Sequence, residues 1–168
     1  MALAGENIDA ADINALQRFY AIKVADESVT SSTTPQNDDD LSAVLDVGVW
    51  EVHAYLSAFS ASVTPGIRFG WNTSGTMTCL GRQMNGPALT ATNTLGPDSK
   101  PRYSGNQSFA QAIFGMDGSA ITCFYDHLIV DVDVAGTLVL QWAQGASNGT
   151  ASTMKAGSSM TWRLLAAG

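Results

Sequence analysis

The stretch Gly48-Val49-Trp50-Glu51-Val52-His53-Ala54-Tyr55-Leu56-Ser57-Ala58 alternates without a break. Trp50, Val52, Ala54 and Leu56 fall on one side, and Glu51, His53, Tyr55 and Ser57 on the other. Side chains of an extended strand leave opposite faces with period two, whereas a helix repeats every 3.6 residues. The stretch therefore reads as a half-buried strand. Outward from it the same period returns. Ile67, Phe69 and Trp71 follow a Pro65-Gly66 turn, and Phe124, Leu128, Val130, Val132 and Val134 line one face of a long strand, opposite Tyr125, His127, Asp131 and Asp133. Ala135-Gly136 turns into Leu138, Leu140 and Trp142. A polar stretch, Gly145–Ser152, with Asn148-Gly149 as a hairpin signal, leads to Met160, Trp162 and Leu164. Toward the start, Phe19–Val24 and Ser28–Thr34 are rich in β-branched and aromatic residues, and Gln36-Asn37-Asp38-Asp39-Asp40 reads as a polar turn before Leu41–Val47. Roughly eight to ten short strands separated by Gly, Asn, Asp and Pro predict an all-β fold, an antiparallel β-sandwich or jelly roll.

Two segments depart from the pattern. Residues 8–18 predict a short helix, capped by Asp9 with Asp12 three positions on, its apolar stripe made by Ile13 and Leu16. About ten residues is marginal for an isolated helix, so it must dock on something. Residues 1–22 are read as an N-terminal arm ahead of a domain at 23–168, with Ile8, Ile13, Leu16 and Phe19 as candidate attachment residues. Gly81–Ser108 holds Pro87, Pro97 and Pro101 and little periodicity. A loop of that length is either a surface excursion or one that clasps a neighbour or a ligand.

With 168 residues one domain can bury roughly 70% of its unfolded surface and needs no metal or disulfide to stay folded. Charged residues are 14% of the chain, against about 25% in an ordinary globular domain. Ser, Thr, Gly, Ala and Asn fill the deficit, a composition suited to closely apposed protein surfaces. The net charge is −7, with eight Lys+Arg against fifteen Asp+Glu. Binding a phosphate backbone takes clustered cations and none cluster here, so direct nucleic-acid binding is not expected. No run of 18 apolar residues suggests a membrane span, and the start, Met1 to Asn7, does not read as a signal peptide. Cys79 and Cys123 both sit in strand-like runs and read as buried thiols.

Chemistry is sparse. No strand-to-helix nucleophile elbow and no phosphate-cradling glycine loop occurs. Asp126 and His127 are adjacent in a strand, so they point to opposite faces and cannot form half of a triad. Asp38-Asp39-Asp40 lacks the ligand spacing of a calcium loop and reads as solvated carboxylate. Trp50, Trp71, Trp142 and Trp162 all fall on apolar faces and read as core. His53 and His127 each lie two residues from a tyrosine, Tyr55 and Tyr125, on an outward face. Were those strands neighbours, the four would form a polar-aromatic patch of the kind enriched at subunit interfaces. As a metal site the histidine pair lacks a third ligand at matching spacing. The expectation is a protein without catalysis, cofactor or metal.

Lys23-Val24-Ala25-Asp26-Glu27-Ser28-Val29-Thr30-Ser31-Ser32-Thr33-Thr34, with Asp38-Asp39-Asp40-Leu41 and Gly48-Val49-Trp50-Glu51-Val52, resembles the opening of a β-domain in structural proteins of tailed bacteriophages, especially those infecting actinobacteria. Gly136-Thr137-Leu138-Val139-Leu140-Gln141-Trp142-Ala143-Gln144, with Ser147-Asn148, Thr153 and Ala156-Gly157-Ser158, is similar to that domain's last hairpin. Ile8 to Leu16 resembles the short leaders of phage virion proteins. The resemblance implies a virion component made in the host cytoplasm and carried on the outer surface of the particle, often trimeric. Its partners would be itself, the major capsid protein lattice or other virion proteins, with no membrane and no direct nucleic acid. It brings no catalytic residues. The expected role is a trimeric capsid decoration protein that binds and stabilises the head shell, its arm supplying attachment. The alternative is a tail, baseplate or fibre module binding the host surface or a carbohydrate, which a groove with an exposed Trp or Tyr would favour.

Overall fold

The computed structural model describes residues 17–87 and 108–168. Ile8, Ile13, Leu16, nearly all of the expected helix and most of the Gly81–Ser108 loop lie outside the described residues. Those residues form two antiparallel sheets. The larger holds β1 (Arg18–Ile22), β2 (Glu27–Val29), β4 (Gly48–Ser60), β6 (Thr76–Asn85), β8 (Thr122–Val134), β10 (Ser152–Met154) and β11 (Ser159–Ala167); the smaller holds β3 (Gln36–Leu45), β5 (Ile67–Thr73), β7 (Ala112–Phe114) and β9 (Gly136–Gln144).

The pairing is nested. β1 and β2 lie against β11 and β10, β3 against β9, β4 against β8, and β5 against β7. Within the large sheet β4 joins the two pairs, meeting β10 and β11 along one edge and β8 along the other. In the small sheet β9 also pairs β5, giving the order β3-β9-β5-β7. A chain paired from its ends inward and wound across two sheets is a jelly roll, with β6 added beyond β8 as an extra edge strand. The all-β sandwich expected from the alternation is the fold.

The alternation also supplies the core. β4 and β8 present Val52, Ala54, Leu56, Leu128 and Val130 inward, and the small sheet answers with Leu41, Ile67, Phe69, Leu138, Leu140 and Trp142, all essentially without solvent exposure. Each Val, Leu, Ile or Phe among them contributes about 1.5–3 kcal/mol by leaving water. Val134, expected on the inner face, is 54% exposed, because it ends β8 at the corner where the chain crosses to the other sheet.

Several expectations are corrected. Gln36 to Asp40 is not a turn: it begins β3, where the register with β9 breaks between Asn37 and Ser42. The break swings Asp38 inward until its side chain has no exposure. Asp38 Oδ1 accepts hydrogen bonds from the backbone N–H groups of Asp40 (3.1 Å) and Leu41 (3.0 Å), and Oδ2 lies 2.9 Å from Lys23 Nζ. Arg18–Ile22, assigned to the arm, is β1 of the large sheet, and Phe19 stacks on Trp162 at 5.8 Å and 17°. Gly81–Asn85, assigned to the long loop, belongs to β6. Asn148-Gly149 is not a hairpin turn, since β9 and β10 lie in different sheets. Cys79 is buried but Cys123 is exposed, and neither forms a disulfide.

Candidate functional site

The outer face of the large sheet is a grid of three rows across β1, β11, β4, β8 and β6. The central row is Tyr20, Thr161, His53, His127 and Gln83. One flanking row is Arg18, Arg163, Glu51, Ile129 and Gly81, and the other is Ile22, Ser159, Tyr55, Tyr125 and Asn85. Of these fifteen positions only Arg18, Arg163 and Glu51 hold an Asp, Glu, Lys or Arg. Tyr20 (73%), Tyr55 (57%) and Ile22 (51%) stand in solvent. The patch expected if β4 and β8 were neighbours is thus present, with His53 opposite His127 and Tyr55 opposite Tyr125 in register.

At the centre the side chains are locked together. The two imidazoles stack with centroids 4.4 Å apart and planes 8° from parallel. Tyr125 Oη lies 2.5 Å from His53 Nδ1 in a hydrogen bond, and Tyr55 and Tyr125 pack ring to ring at 5.0 Å. Glu51 stands under the stack, Oε1 reaching Nε2 of His53 (3.4 Å) and of His127 (3.3 Å), while Oε2 accepts a hydrogen bond from Arg163 Nε at 2.6 Å.

This packing sets the protonation states. Burial, the largest influence, disfavours the imidazolium of His53, and His127 beside it adds repulsion; together they outweigh Glu51 and hold the pKa below the ordinary histidine value. Burial pushes Glu51 upward, but the hydrogen bond and charge of Arg163 outweigh it and the carboxyl ends below its usual range. Burial, with Tyr55 and Glu51 close by, raises Tyr125. At neutral pH the cluster therefore holds a carboxylate and an uncharged His53.

Two buried ion pairs brace the sandwich behind this face. Arg82 of β6 reaches inward to Asp126 of β8, Nη2 to Oδ2 at 2.7 Å and Nε to Oδ1 at 3.0 Å, while Trp71 Nε1 donates to the same carboxylate at 2.8 Å. Arg82 Nη1 donates to the Ala110 carbonyl at 2.6 Å, anchoring the chain just after the long loop. Lys23 sits where β1 gives way to β2, and its ammonium meets Glu27 Oε2 at 2.8 Å and Asp38 Oδ2 at 2.9 Å. Neither pair was visible from spacing, because each joins residues whose proximity depends on strand order.

A shallow cavity of about 390 Å³ opens at the end of the grid, lined by Tyr55, Asn85, Gly86, Pro87, Cys123, Phe124 and Tyr125.

No family model matches the chain, and no curated protein matches it. Among solved structures the chain is similar to the VP2 subviral particle of infectious bursal disease virus, at 8% identity over 89% of this chain and 42% of that one, TM-score 0.23. A mutant VP2 of the same virus in T=1 particles is similar at 10% identity over 89% of this chain and 40% of that one, TM-score 0.21. The chain spans about two fifths of those proteins. A likeness this slight carries no argument about function.

The structure brings His53, Tyr55, Tyr125 and His127 into one cluster and places Phe19 apart from it, against Trp50 and Trp162. The residue that sequence reasoning missed is Glu51. It lies two positions before His53, hence on the same face of the same strand, and that spacing was the available signal.

Proposed function

We propose that this chain is a non-enzymatic structural subunit of a phage virion, acting by packing against copies of itself as a homotrimeric decoration protein on the head shell. The observation that carries the reading is the outer face of the large sheet, fifteen positions with only three Asp, Glu, Lys or Arg residues and with Tyr20, Ile22 and Tyr55 exposed. Protein interfaces concentrate aromatic residues and deplete charge at their centres, and three tyrosines with two histidines make such a centre. Closed packing of copies also shields sheet edges that a lone sandwich leaves open to stray pairing. The resemblance to structural proteins of tailed phages supplies the setting.

Light scattering on the purified chain at micromolar concentration tests the assembly step. The expected mass is three times that of one chain, falling to one when Tyr20 and Tyr55 are both replaced by Glu. A wild-type mass of one chain overturns the reading.

The cavity beside Tyr55 and Tyr125 favours a second reading, a tail or fibre module whose exposed tyrosine ring stacks on a sugar of the host surface. Labelling the protein on intact particles separates the two, since signal at the head supports decoration and signal at the tail supports the alternative.

A further inference from the structure

We propose that Glu51, His53 and His127 bind a divalent transition-metal ion of the zinc class through Glu51 Oε1, His53 Nε2 and His127 Nε2. All three ligands belong to one chain, so the inference stands apart from the assembly reading. The three groups offer ligand atoms within 4.8 Å of one another, and Glu51 Oε1 is 3.4 Å from His53 Nε2 and 3.3 Å from His127 Nε2. An ion held at about 2.0–2.1 Å by tetrahedral ligands sets neighbouring ligand atoms roughly 3.4 Å apart. The carboxylate oxygen already stands at that spacing from both nitrogens. The stacked rings, 4.4 Å apart and 8° from parallel, must tilt about their Cβ–Cγ bonds for both lone pairs to converge on the ion.

Two further observations point to a ligand. Nε2 of His127 is buried and takes part in no hydrogen bond, an uncommon and costly state for a polar atom that coordination would end. The groups behind the ligands are also arranged to present them. Tyr125 Oη hydrogen-bonds His53 Nδ1, and with Nδ1–H as the donor the lone pair falls on Nε2, which faces Glu51. Arg163 holds Glu51 Oε2, leaving Oε1 to the histidines. Partners of this kind fix the tautomer and orientation of metal-binding imidazoles.

The donor set decides the class of ion. Two imidazoles and one carboxylate suit zinc, cobalt and nickel, whereas calcium and magnesium take oxygen ligands almost throughout. With three protein ligands, at least one position remains for water. Bound there, the ion ties β4 to β8 across the middle of the outer face.

Titration calorimetry of the tag-free full chain at neutral pH tests this, with Zn²⁺ as the probe and Mg²⁺ and Ca²⁺ as comparators. One zinc per chain is expected, with no heat from Mg²⁺ or Ca²⁺. His53→Gln and His127→Gln should each weaken zinc binding at least 100-fold. Tyr125→Phe, which removes only the group behind His53, should weaken it by about 10–100-fold. Circular dichroism of each variant checks the fold. Should one misfold, NMR of the wild-type chain decides the matter, because Co²⁺ must broaden the ring protons of His53 and His127 before any others. Absence of zinc binding at millimolar metal, full binding by the folded double histidine variant, or Co²⁺ broadening centred elsewhere overturns the proposal.

Discussion

At the scale of single residues, the features hardest to foresee are charged side chains inside a chain poor in charge. Nothing in the sequence sets Lys23 apart, and Asp38 reads as one of three solvated carboxylates in a polar turn. In the fold they meet with side-chain exposures of 2% and 0%. Spacing could not show this, since the meeting depends on the break in register within β3. The pairing has a consequence for pH. Burial, the largest influence on Lys23, pulls its pKa down, but the hydrogen bonds to Glu27 and Asp38 and the attraction of both carboxylates outweigh it, and the net shift is upward from 10.5. A folded-state pKa above the unfolded one means that the protonated amine stabilises the fold. That stability is complete below the unfolded value and is lost as pH rises through the higher folded value. Lys23→Met, which leaves Asp38 buried and unpaired, should cost about 3–5 kcal/mol near neutrality. Urea midpoints of wild type and variant should differ widely at neutral pH and converge under strong alkali. A gap unchanged by alkali would show that the ion pair is not the source of the effect.

At the scale of elements, periodicity located the strands and chemistry located most turns, but neither could pair them. Glu51 to Ser57 alternates so cleanly that β4 was legible at sight. That its neighbour is β8, more than sixty residues on, was not. The metal-type cluster was hidden for the same reason, being split between those strands. Asn148-Gly149 misled because the signal is local, and it marks a tight turn without saying whether the next strand returns to the same sheet. The turn between β5 and β6 shows how such corners are held. Gly75 takes a φ of 76°, and a Cβ placed on it would lie 2.4 Å from the Val134 carbonyl oxygen and 2.7 Å from that of Ala135. Ser74 N–H donates to the Thr137 carbonyl at 2.9 Å, and Thr137 N–H donates to Ser74 Oγ at 2.8 Å, so this turn is bound to the corner between β8 and β9. Gly75→Ala adds a left-handed backbone cost of about 1–2 kcal/mol to a clash with backbone that cannot swing aside. For a domain of this size each 1 kcal/mol lowers the melting temperature by about 2–4 °C. A fall of roughly 4 °C or more is expected by scanning calorimetry, and a variant melting within about a degree of wild type would contradict the corner's role.

At the scale of the whole molecule, the division between arm and domain decides what a truncation can show. The boundary drawn from sequence after residue 22 cuts through the sandwich, because β1 covers β11 and Phe19 packs against Trp162 and Trp50 with centroids 5.8 and 6.2 Å away. Removing residues 1–22 strips those two tryptophans, unpairs one edge of β11, and deletes Tyr20 and Ile22 from the candidate assembly face. Phe19 is a partly buried side chain packed against the core, and its loss together with the β1–β11 pairing means that this truncation should melt well below the full chain and associate poorly. Removing residues 1–16 leaves every described strand in place, and if that segment serves attachment alone the protein should keep its melting temperature and its oligomeric mass. If the segment before β1 is the attachment arm, the shorter truncation alone separates attachment from folding: it remains a folded oligomer but no longer binds particles. Undiminished binding by that variant, measured by co-sedimentation with stripped particles, would shift attachment onto the sandwich itself, and the outer face of the large sheet would then have to serve the lattice as well as the neighbouring copy.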